Sequence, residues 1–371
     1  MWPLVWLLAA TAADAGSDVK SDEEVLFFLT CASRADSGWN LPVHGLIFEP
    51  ERSSFRRKAA LELLCSLLGL GRQDAQNEPV GRVSNSPYDR QDAQNEIFQQ
   101  RARWFLVDNE RGKSIRVRLG GRVYPAGTSA ANGHFTNTLQ IDQAEADRLR
   151  RTEADPAGWL TFQAVLRRGD KRQFTGRVQL VDPQGRSVIS DVDDTIKITE
   201  VRDRQAMLAN TFLRPLRPVP GMAALYRQWA DRGMVFHYVS ASPWQLYAPL
   251  AEFLAAERFP AGSFHLKLFR LKDSTALNLL GPQTKYKTEV IERILAEFPG
   301  RRFIFVGDSG EQDPETYASI ARKHPGQIEH IFIRNVGGAG SEPSRFQQAF
   351  EGIPREKRKL FEKASELPDF R

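Results

Sequence analysis

The sequence predicts two parts, a β-rich, sandwich-like domain followed by an α/β domain with a doubly wound parallel sheet. In the first half, short apolar or alternating runs are separated by turn residues, which is typical of antiparallel strands. In the second half, near-continuous apolar runs alternate with helical patterns, which indicates a parallel sheet covered by helices on both faces. The pattern changes after the segment VDPQGR.

The composition of the chain is that of an ordinary globular protein. Its 371 residues are enough for two domains with buried cores, and 41% of them are hydrophobic. A net charge of +5 mildly favours anionic partners. Because no run of eighteen or more uncharged apolar residues occurs, the sequence predicts no membrane-spanning helix.

Residues 1–15 are predicted to be a signal peptide. The apolar run from Trp2 to Ala13 is too short to span a bilayer, and it ends in small residues that fit a cleavage site. Since no Lys or Arg precedes the run, a buried N-terminal segment or a misassigned start codon remain alternatives. A real signal predicts export, either to the periplasm or by secretion, and otherwise we expect a cytoplasmic protein.

Residues 22–182 are predicted to form the β-rich domain. One helix is expected between Ala60 and Leu68, where apolar residues share one face. The heptapeptide RQDAQNE occurs twice, and because both copies are polar, the region near 72–96 is interpreted as a loop insertion. The strand candidates are EVLFFLT, PVHGLIFEP, RWFLVDN, SIRVRLGGRVYP, GHFTNTLQID, WLTFQAVLR and QFTGRVQLVD.

Residues 186–338 are predicted to form the α/β domain, and the charged segment 340–371 is expected to be a tail, helical or partly disordered. The helical patterns are GMAALYRQWADRG, SPWQLYAPLAEFLAAE, KTEVIERILAEF and PETYASIARK. The strand candidates are Ser187–Asp191, Val235–Ser240, Phe264–Phe269, Arg302–Gly307 and Ile328–Ile333.

Two cysteines, Cys31 and Cys65, are too few for a disulfide framework or a thiolate zinc site. Each lies in an apolar stretch, so buried thiols are favoured over the single bridge that an exported protein could form. The six histidines show no pairing typical of a metal centre.

Polar side chains follow the predicted parallel strands where these end. Asp191 and Asp193 follow the first strand of the α/β half, Ser240 ends the second, and Asp308 and Asp313 follow the fourth. The carboxyl ends of the strands in a doubly wound sheet meet at one edge, so these side chains are expected to converge.

This set of residue types suits phosphoryl transfer. Clustered carboxylates bind Mg²⁺, a hard cation that prefers oxygen ligands and offsets their mutual repulsion. One carboxylate can attack phosphorus to give an aspartyl-phosphate, and a second can protonate the leaving oxygen and then deprotonate water. A hydroxyl and a lysine can stabilise the charge on the phosphoryl oxygens, and Lys287 at a predicted helix start is the lysine candidate.

The segments DVDDT, VSAS and GDSGEQD, together with the helix that starts at Lys287, resemble the four motifs of the haloacid dehalogenase superfamily in the same order. More narrowly, SDVDDTIKIT, SASPWQLY and VGDSGEQDPETYA resemble the actin-patch-associated phosphatidate phosphatase family. The resemblance covers the second half of the chain, whereas the β-rich half is only loosely similar. Members of that family carry proline-rich tails that this sequence lacks, so no protein partner is predicted.

The resemblance implies that Asp191 is the nucleophile and Asp193 the general acid and base. Ser240 and Lys287 would hold the phosphoryl group, and Thr195 is counted with this catalytic set. Lys285 is a rival for Lys287, which is preferred because the apolar positions of the helix place its start there.

The resemblance also implies the ligands of the Mg²⁺ ion. These are Asp191, the backbone carbonyl of Asp193, and Asp308, with Asp313 close behind. The superfamily pattern assigns no role to Asp194, for which solvation or a contact behind the site is expected.

The predicted function is therefore that of a Mg²⁺-dependent phosphatase that converts phosphatidate to diacylglycerol through an aspartyl-phosphate. One alternative is the same mechanism on a soluble phosphomonoester or a phosphoprotein. A second alternative is a protein that binds a lipid surface or an envelope and whose catalytic half is vestigial. A calcium loop at DVDDT is disfavoured, because an EF-hand needs Gly and Glu where Ile196 and Arg202 stand.

The predicted partner is a phospholipid surface, contacted peripherally, and no nucleic-acid partner is predicted. In the segment RDRQAMLANTFLRPLRPVPGM, Arg214 and Arg217 lie near Phe212 and Leu216, and such a pattern can approach an anionic lipid surface. A charged connector that packs its apolar side chains locally explains the same pattern equally well.

Overall fold

The computed structural model describes residues 16–50, 87–268, 284–337 and 343–370. The chain divides into two compact units, of which the first contains residues 1–51 and 107–182 and the second contains residues 52–106 and 183–371. The predicted signal peptide, the predicted helix near Leu68, the first RQDAQNE copy and Cys65 lie outside the described residues.

The strands and helices of the described residues are numbered in chain order. None of these helices combines the length and the hydropathy that crossing a membrane requires. The strands are β1 (Glu24–Phe27), β2 (Thr30–Ala35), β3 (Gly38–Glu49), β4 (Asp108–Asn109), β5 (Ser114–Leu119), β6 (Arg122–Thr128), β7 (His134–Asp142), β8 (Trp159–Ala164), β9 (Thr175–Leu180), β10 (Gly185–Ser190), β11 (Val235–Pro243), β12 (Gly262–Lys267), β13 (Arg301–Asp308), β14 (Ile328–Arg334) and β15 (Arg358–Phe361). The helices are α1 (Pro87–Ala102), α2 (Gln143–Thr152), α3 (Arg204–Phe212), α4 (Met222–Asp231), α5 (Tyr247–Ala256), α6 (Thr284–Glu297), α7 (Asp313–Lys323) and α8 (Pro343–Ala349).

The first unit is a largely antiparallel sheet, which confirms the predicted β-rich half. Its strand order is β1-β3-β2-β9-β8-β5-β6, and β4 and β7 also pair with β3. The 12 residues of β3 make it the central element, because different parts of its length pair with β1, β2, β4 and β7. The pair between β2 and β9 is parallel.

Aromatic side chains join the strands of the first unit around one core. The ring of Phe27 lies edge-on to Phe135 and to Phe162, with ring centroids 5.7 Å and 5.0 Å apart. Cys31 is buried, as its apolar surroundings predicted. The helix α2, which the sequence analysis missed, begins after Asp142, whose carboxylate accepts a hydrogen bond from the backbone N–H of Glu145.

The second unit contains a parallel sheet in the order β12-β11-β10-β13-β14-β15, which confirms the predicted doubly wound architecture. The five predicted strands correspond to β10 to β14. From β10 the chain moves to β11 and β12 on one side, and it then returns to β13 on the other side. This reversal creates a topological switch point beside β10, and ligands of such sheets bind there at the carboxyl ends of the strands.

The predicted tail at 340–371 is only partly right for residues 343–370: the helix α8 agrees with the helical expectation, but β15 is the sixth strand of the sheet. β15 pairs in parallel with β14, and the side chain of Phe361 is 1% exposed. The indole N–H of Trp229 on α4 donates to the carbonyl oxygen of Pro368. The strand was not predicted, because its sequence RKLF begins with two charged residues and lacks a continuous apolar run. Only its last residue, Phe361, is buried.

The predicted loop insertion near 72–96 is wrong for its described part. The second RQDAQNE copy, residues 90–96, lies within helix α1. This helix belongs to the second unit rather than to the β-rich domain. The predicted strand RWFLVDN is wrong for Arg103–Phe105, which forms a 3₁₀ turn directly after α1, and it is confirmed only for Asp108–Asn109, which forms β4.

Phe361→Ala is expected to lower the free energy of unfolding by about 3 kcal/mol, because it deletes a fully buried ring from the sheet. The matched control is Leu360→Ala on the same strand, which should cost less than about 0.5 kcal/mol because a side chain that is 41% exposed loses little burial. Urea unfolding measures both values. Equal costs for the two variants would contradict the placement of β15 in the sheet.

Candidate active site

The first motif follows β10 and holds Asp191 in a fixed orientation. The backbone N–H of Asp191 donates to the carbonyl oxygen of Val306 on β13, so the residue continues the strand pairing. Its Oδ2 accepts a hydrogen bond from the Thr195 hydroxyl at 3.0 Å, and its Oδ1 lies 2.9 Å from the Lys287 ammonium. Both carboxylate oxygens are therefore oriented by the chain itself.

Lys287 lies in the first turn of α6, which begins at Thr284 rather than at the predicted Lys287. Its Nζ lies 2.9 Å from Asp191, 3.0 Å from Glu311 and 2.6 Å from Asp313. Burial alone would lower the pKa of Lys287, but the surrounding carboxylates raise it well above its ordinary value.

The rival lysine lies elsewhere on the same helix. The side chain of Lys285 is 87% exposed, and its ion pair is with Glu289, at 3.9 Å. The structure therefore brings Lys287 to the strand ends and leaves Lys285 in solvent.

Three carboxylates form a cluster at the carboxyl ends of β10 and β13. One oxygen each from Asp191, Asp308 and Asp313 lies within 4.8 Å of the others. The close approach requires Gly307, because a Cβ at this position would collide with the Asp313 carboxylate. Asp308 Oδ1 accepts a hydrogen bond from the N–H of Gly310, whereas its Oδ2 is buried without a hydrogen-bond partner among the described residues.

These residues fit a divalent cation. Burial raises the pKa of both Asp191 and Asp308 well above the ordinary aspartate value, so the charged forms are costly without compensation. Glu311 adds a fourth, half-buried carboxyl group, and the Lys287 ammonium lies within 3.0 Å of Glu311, Asp191 and Asp313. The donors are all hard oxygens, which Mg²⁺ prefers, and the unpartnered Asp308 Oδ2 offers a free lone pair.

The side chain of Asp193 lies in a different group of polar residues. Its Oδ1 is 2.7 Å from the Lys197 ammonium and 2.8 Å from the Thr199 hydroxyl. Its Oδ2 accepts hydrogen bonds from the hydroxyls of Ser240, at 3.1 Å, and Ser242, at 2.9 Å. Burial would raise the pKa of Asp193, but the Lys197 charge and these hydrogen bonds hold it at about 2.

The separation of these two groups bears on the predicted metal ligands. The carboxylates of Asp191, Asp308 and Asp313 come together, and the Asp193 carboxylate does not join them. The metal contact predicted for Asp193 involves its backbone carbonyl rather than its carboxylate, and this contact stays a prediction.

Asp194, for which no role was expected from the motif, organises the loop after β10. Its carboxylate accepts hydrogen bonds from the backbone N–H groups of Thr199, Glu200 and Val201, at 2.7–2.8 Å. Its own backbone is in the left-handed region, with φ 53°, which Asp tolerates better than most residues. The carbonyl oxygen of Asp194 accepts a further hydrogen bond from Arg334. These contacts fold the chain back so that residues beyond the loop reach Asp193.

In the described part of the chain, side chains that were not predicted also contact the predicted site residues, among them Lys197, Thr199, Ser242 and Glu311. Ser242 had a detectable signal, because in an extended chain it shares a side with Ser240 two residues before it. Lys197 and Thr199 had none, since they reach Asp193 only through the reversal at Asp194.

The residues around the Asp193 carboxylate are called the Asp193 group: Asp193, Lys197, Thr199, Ser240 and Ser242. An apolar cleft lies beside this group. One wall is helix α3, and Leu208 and Phe212 of this helix are buried. The helix lies in the segment for which both a lipid-facing surface and a locally packed connector were considered. The cleft is lined by Asp193, Thr199, Val201, Met207, Leu208, Thr211, Phe212, Ala241, Ser242, Pro243, Leu246 and Glu311.

Comparison with known proteins bears on the same part of the chain. Residues 186–335 match the family model described as "Phosphatidate phosphatase APP1, catalytic domain". The resemblance predicted from the motifs is confirmed for this segment. The matched segment 186–335 contains all the residues of the carboxylate cluster and of the Asp193 group.

Two curated relatives also match. The chain is 35% identical over 178 residues to "Phosphatidate phosphatase APP1" of Saccharomyces cerevisiae. The aligned segment covers 47% of this chain and 30% of that protein. It is 31% identical over 169 residues to an uncharacterized protein of Schizosaccharomyces pombe, which covers 44% of this chain and 27% of the relative. The chain therefore spans less than a third of the length of either relative.

Among solved structures, a Thermotoga maritima chain described as a beta-phosphoglucomutase matches 49% of this chain and 95% of its own length. The sequence identity is 13% and the TM-score 0.29. The fold assignment therefore depends on the sheet order and not on this match.

Asp194→Ala is expected to lower the free energy of unfolding by about 3 kcal/mol, because three backbone N–H groups lose their charged acceptor. Asp194→Asn should cost less, since Asn tolerates a positive φ and keeps one acceptor oxygen. Urea unfolding compares the two variants. A cost for Asp194→Ala no larger than that for Asp194→Asn would contradict the role assigned to this carboxylate.

Mg²⁺ is expected to raise the melting temperature of the wild-type protein after treatment with a chelator, and Asp308→Asn should remove most of that shift. A ligand at about 100 times its Kd stabilises the folded state by about 2.7 kcal/mol. Asp231→Asn, at an exposed position at the end of α4, is the matched control and should keep the wild-type shift. An undiminished shift in Asp308→Asn would show that Mg²⁺ binds elsewhere.

Proposed function

We propose that this protein is a Mg²⁺-dependent phosphatase that hydrolyses a phosphate monoester through an aspartyl-phosphate on Asp191, and that the ester is phosphatidate. The observation that carries the proposal is the pairing at the end of β10. Asp191 is oriented by Thr195 and Lys287 beside a carboxylate cluster, while Asp193, two residues later, faces an apolar cleft. This arrangement supports attack by Asp191 and proton transfer to the leaving group by Asp193.

The carboxylate cluster would hold the cation through Asp191, Asp308 and Asp313. When bound there, Mg²⁺ would neutralise part of the charge on the phosphoryl oxygens and on these carboxylates. Lys287 adds a positive charge 2.9 Å from the attacking oxygen of Asp191, where the transferred phosphoryl group must come. Thr195 keeps the second oxygen of Asp191 from turning away.

In the first step an oxygen of Asp191 forms a bond to phosphorus, while the bond from phosphorus to the alcohol oxygen breaks. Asp193 gives its proton to that oxygen, and the alcohol leaves. In the second step Asp193 takes a proton from water, the water oxygen attacks phosphorus, and the bond to Asp191 breaks. Inorganic phosphate is released and both carboxyl groups return to their starting states.

Asp193 must carry a proton to act first as an acid, although its contacts without substrate hold its pKa at about 2. A phosphate dianion beside this carboxylate adds like charge, which raises its pKa. If the Ser240 and Ser242 hydroxyls turn to phosphoryl oxygens, Asp193 also loses two donors, which raises the pKa further. Binding of the substrate thereby shifts Asp193 toward the protonated form that the first step needs.

Phosphatidate is proposed as the substrate on two grounds. The family model and the S. cerevisiae relative that match the catalytic segment carry this activity in their names. The cleft beside Asp193 is lined mainly by apolar side chains, which suits the alcohol of a lipid better than that of a sugar. A phospholipid surface, contacted peripherally, is the corresponding proposed partner.

Phosphate release from a panel of esters is expected to be fastest with phosphatidate in mixed micelles and to require Mg²⁺. The panel includes soluble monoesters and a phosphopeptide, and Asp191→Asn is the blank because an amide is a poor nucleophile. Activity retained in Asp191→Asn would contradict the mechanism. A preference of about tenfold for a soluble ester would favour the soluble-substrate alternative, and no turnover of any ester would favour a binding protein.

A further inference from the structure

We propose that the apolar cleft between α3 and the end of β11 is the leaving-group subsite, in which Met207 and Thr211 select an uncharged lipid alcohol. The inference rests on the proposed phosphatase function and adds the residues that decide which ester is accepted. The occupant is the part of diacylglycerol next to the ester oxygen.

The position of the cleft follows from the chemistry of the acid. A general acid must lie within hydrogen-bond reach of the oxygen that it protonates. Asp193 and Ser242 both line the cleft, and Ser242 donates to Asp193 Oδ2 at 2.9 Å. An alcohol whose oxygen meets Asp193 must therefore extend from the carboxylate cluster toward the cleft.

The lining of the cleft indicates the nature of this alcohol. Among the described lining residues the charged members are Asp193 and Glu311, both acidic, and none is a Lys or an Arg. Each of these carboxylates is already paired with a lysine, Asp193 with Lys197 and Glu311 with Lys287. A leaving group with a second phosphate would therefore meet acidic groups and no spare cation among the described lining residues, which is unfavourable in a partly enclosed site. The remaining walls are mostly aliphatic or aromatic, so burial of apolar atoms provides the attraction.

The wall formed by α3 is supported from behind by α1 and the turn that follows it. The guanidinium of Arg101 donates to the carbonyl oxygens of Asn210 and Thr211 at the end of α3, at 3.4 Å and 2.7 Å. This places a cation at the negative end of the helix dipole. The rings of Phe98 and Phe105 lie 6.4 Å and 5.7 Å from that of Phe212, measured between centroids.

Met207 and Thr211 are the adjustable positions of this wall. They lie four residues apart, and so on one face of α3, and both are half-buried rather than packed in the core. Substitutions at these positions can change the shape of the cleft without removing a core side chain. Gln205 on the same helix is exposed and does not line the cleft, so it is a matched control position.

The test compares Met207→Trp with Gln205→Trp on two substrates in the presence of Mg²⁺. Dioctanoyl phosphatidate in mixed micelles has the lipid alcohol, and acetyl phosphate has a leaving group of two carbons. Met207→Trp narrows the cleft, so the ratio of kcat/KM for phosphatidate to kcat/KM for acetyl phosphate should fall about tenfold. Gln205→Trp should keep the wild-type ratio.

An unchanged ratio in Met207→Trp would overturn the inference while leaving the proposed function intact, because the wild-type protein would still release phosphate. Wild-type protein inactive on both substrates would overturn the proposed function and the subsite with it. Circular dichroism and thermal melting check that the variants fold. If Met207→Trp does not fold, Met207→Ala replaces it: removing a contact should raise KM for phosphatidate more than KM for acetyl phosphate, and equal changes would overturn the subsite.

Discussion

The buried ammonium of Lys287 joins the segments at the carboxyl-terminal edge of the parallel sheet in the second unit. Lys287 Nζ lies within 3.0 Å of carboxylate oxygens from Asp191, Glu311 and Asp313, which come from the end of β10, the loop after β13 and the start of α7. Removing one partner from a buried ion pair typically costs about 3–5 kcal/mol, because the other charge stays buried without compensation. The three segments are thus linked by the same contacts that orient the proposed nucleophile. Among the described residues, the carboxyl groups outnumber the ammonium that pairs with them, and a divalent cation therefore fits the cluster.

The carboxylates of the first motif belong to two different groups of polar side chains. Asp191 belongs to the group that contains Lys287 and the cluster, and Asp193 belongs to the group that contains Lys197. Two neighbouring carboxylates therefore have opposite electrostatic surroundings: burial raises the pKa of Asp191, and the Lys197 charge with several donors overcomes burial at Asp193. Asp194 makes this division possible, because it fixes the chain reversal that brings Lys197 back to Asp193. Three acidic residues of one short motif thereby have three different sets of contacts.

Predictions from the sequence succeeded where burial or strand direction left a one-dimensional signal. The strands β10 to β14 were recognisable because a parallel strand buried on both faces is almost continuously apolar. Their ends led to the prediction that Asp191, Ser240 and Asp308 lie at one edge, since parallel strands bring their carboxyl ends together. The edge strand β15 and helix α3 carry mixed polar and apolar residues, so their composition resembled a tail and a connector. Lys197 and Thr199 could not be found from spacing, because a single backbone reversal with φ 53° at Asp194 places them in the site.

The central claim is that Asp191 forms a covalent bond to the phosphoryl group. The most direct measurement is rapid acid quench of the enzyme during its first turnover of phosphatidate with Mg²⁺, followed by borohydride reduction and peptide mass spectrometry. An aspartyl-phosphate is reduced to homoserine, so the account predicts homoserine at position 191 and unmodified aspartate at positions 193 and 194. Release of phosphate in the first turnover with Asp191 unmodified throughout would contradict it.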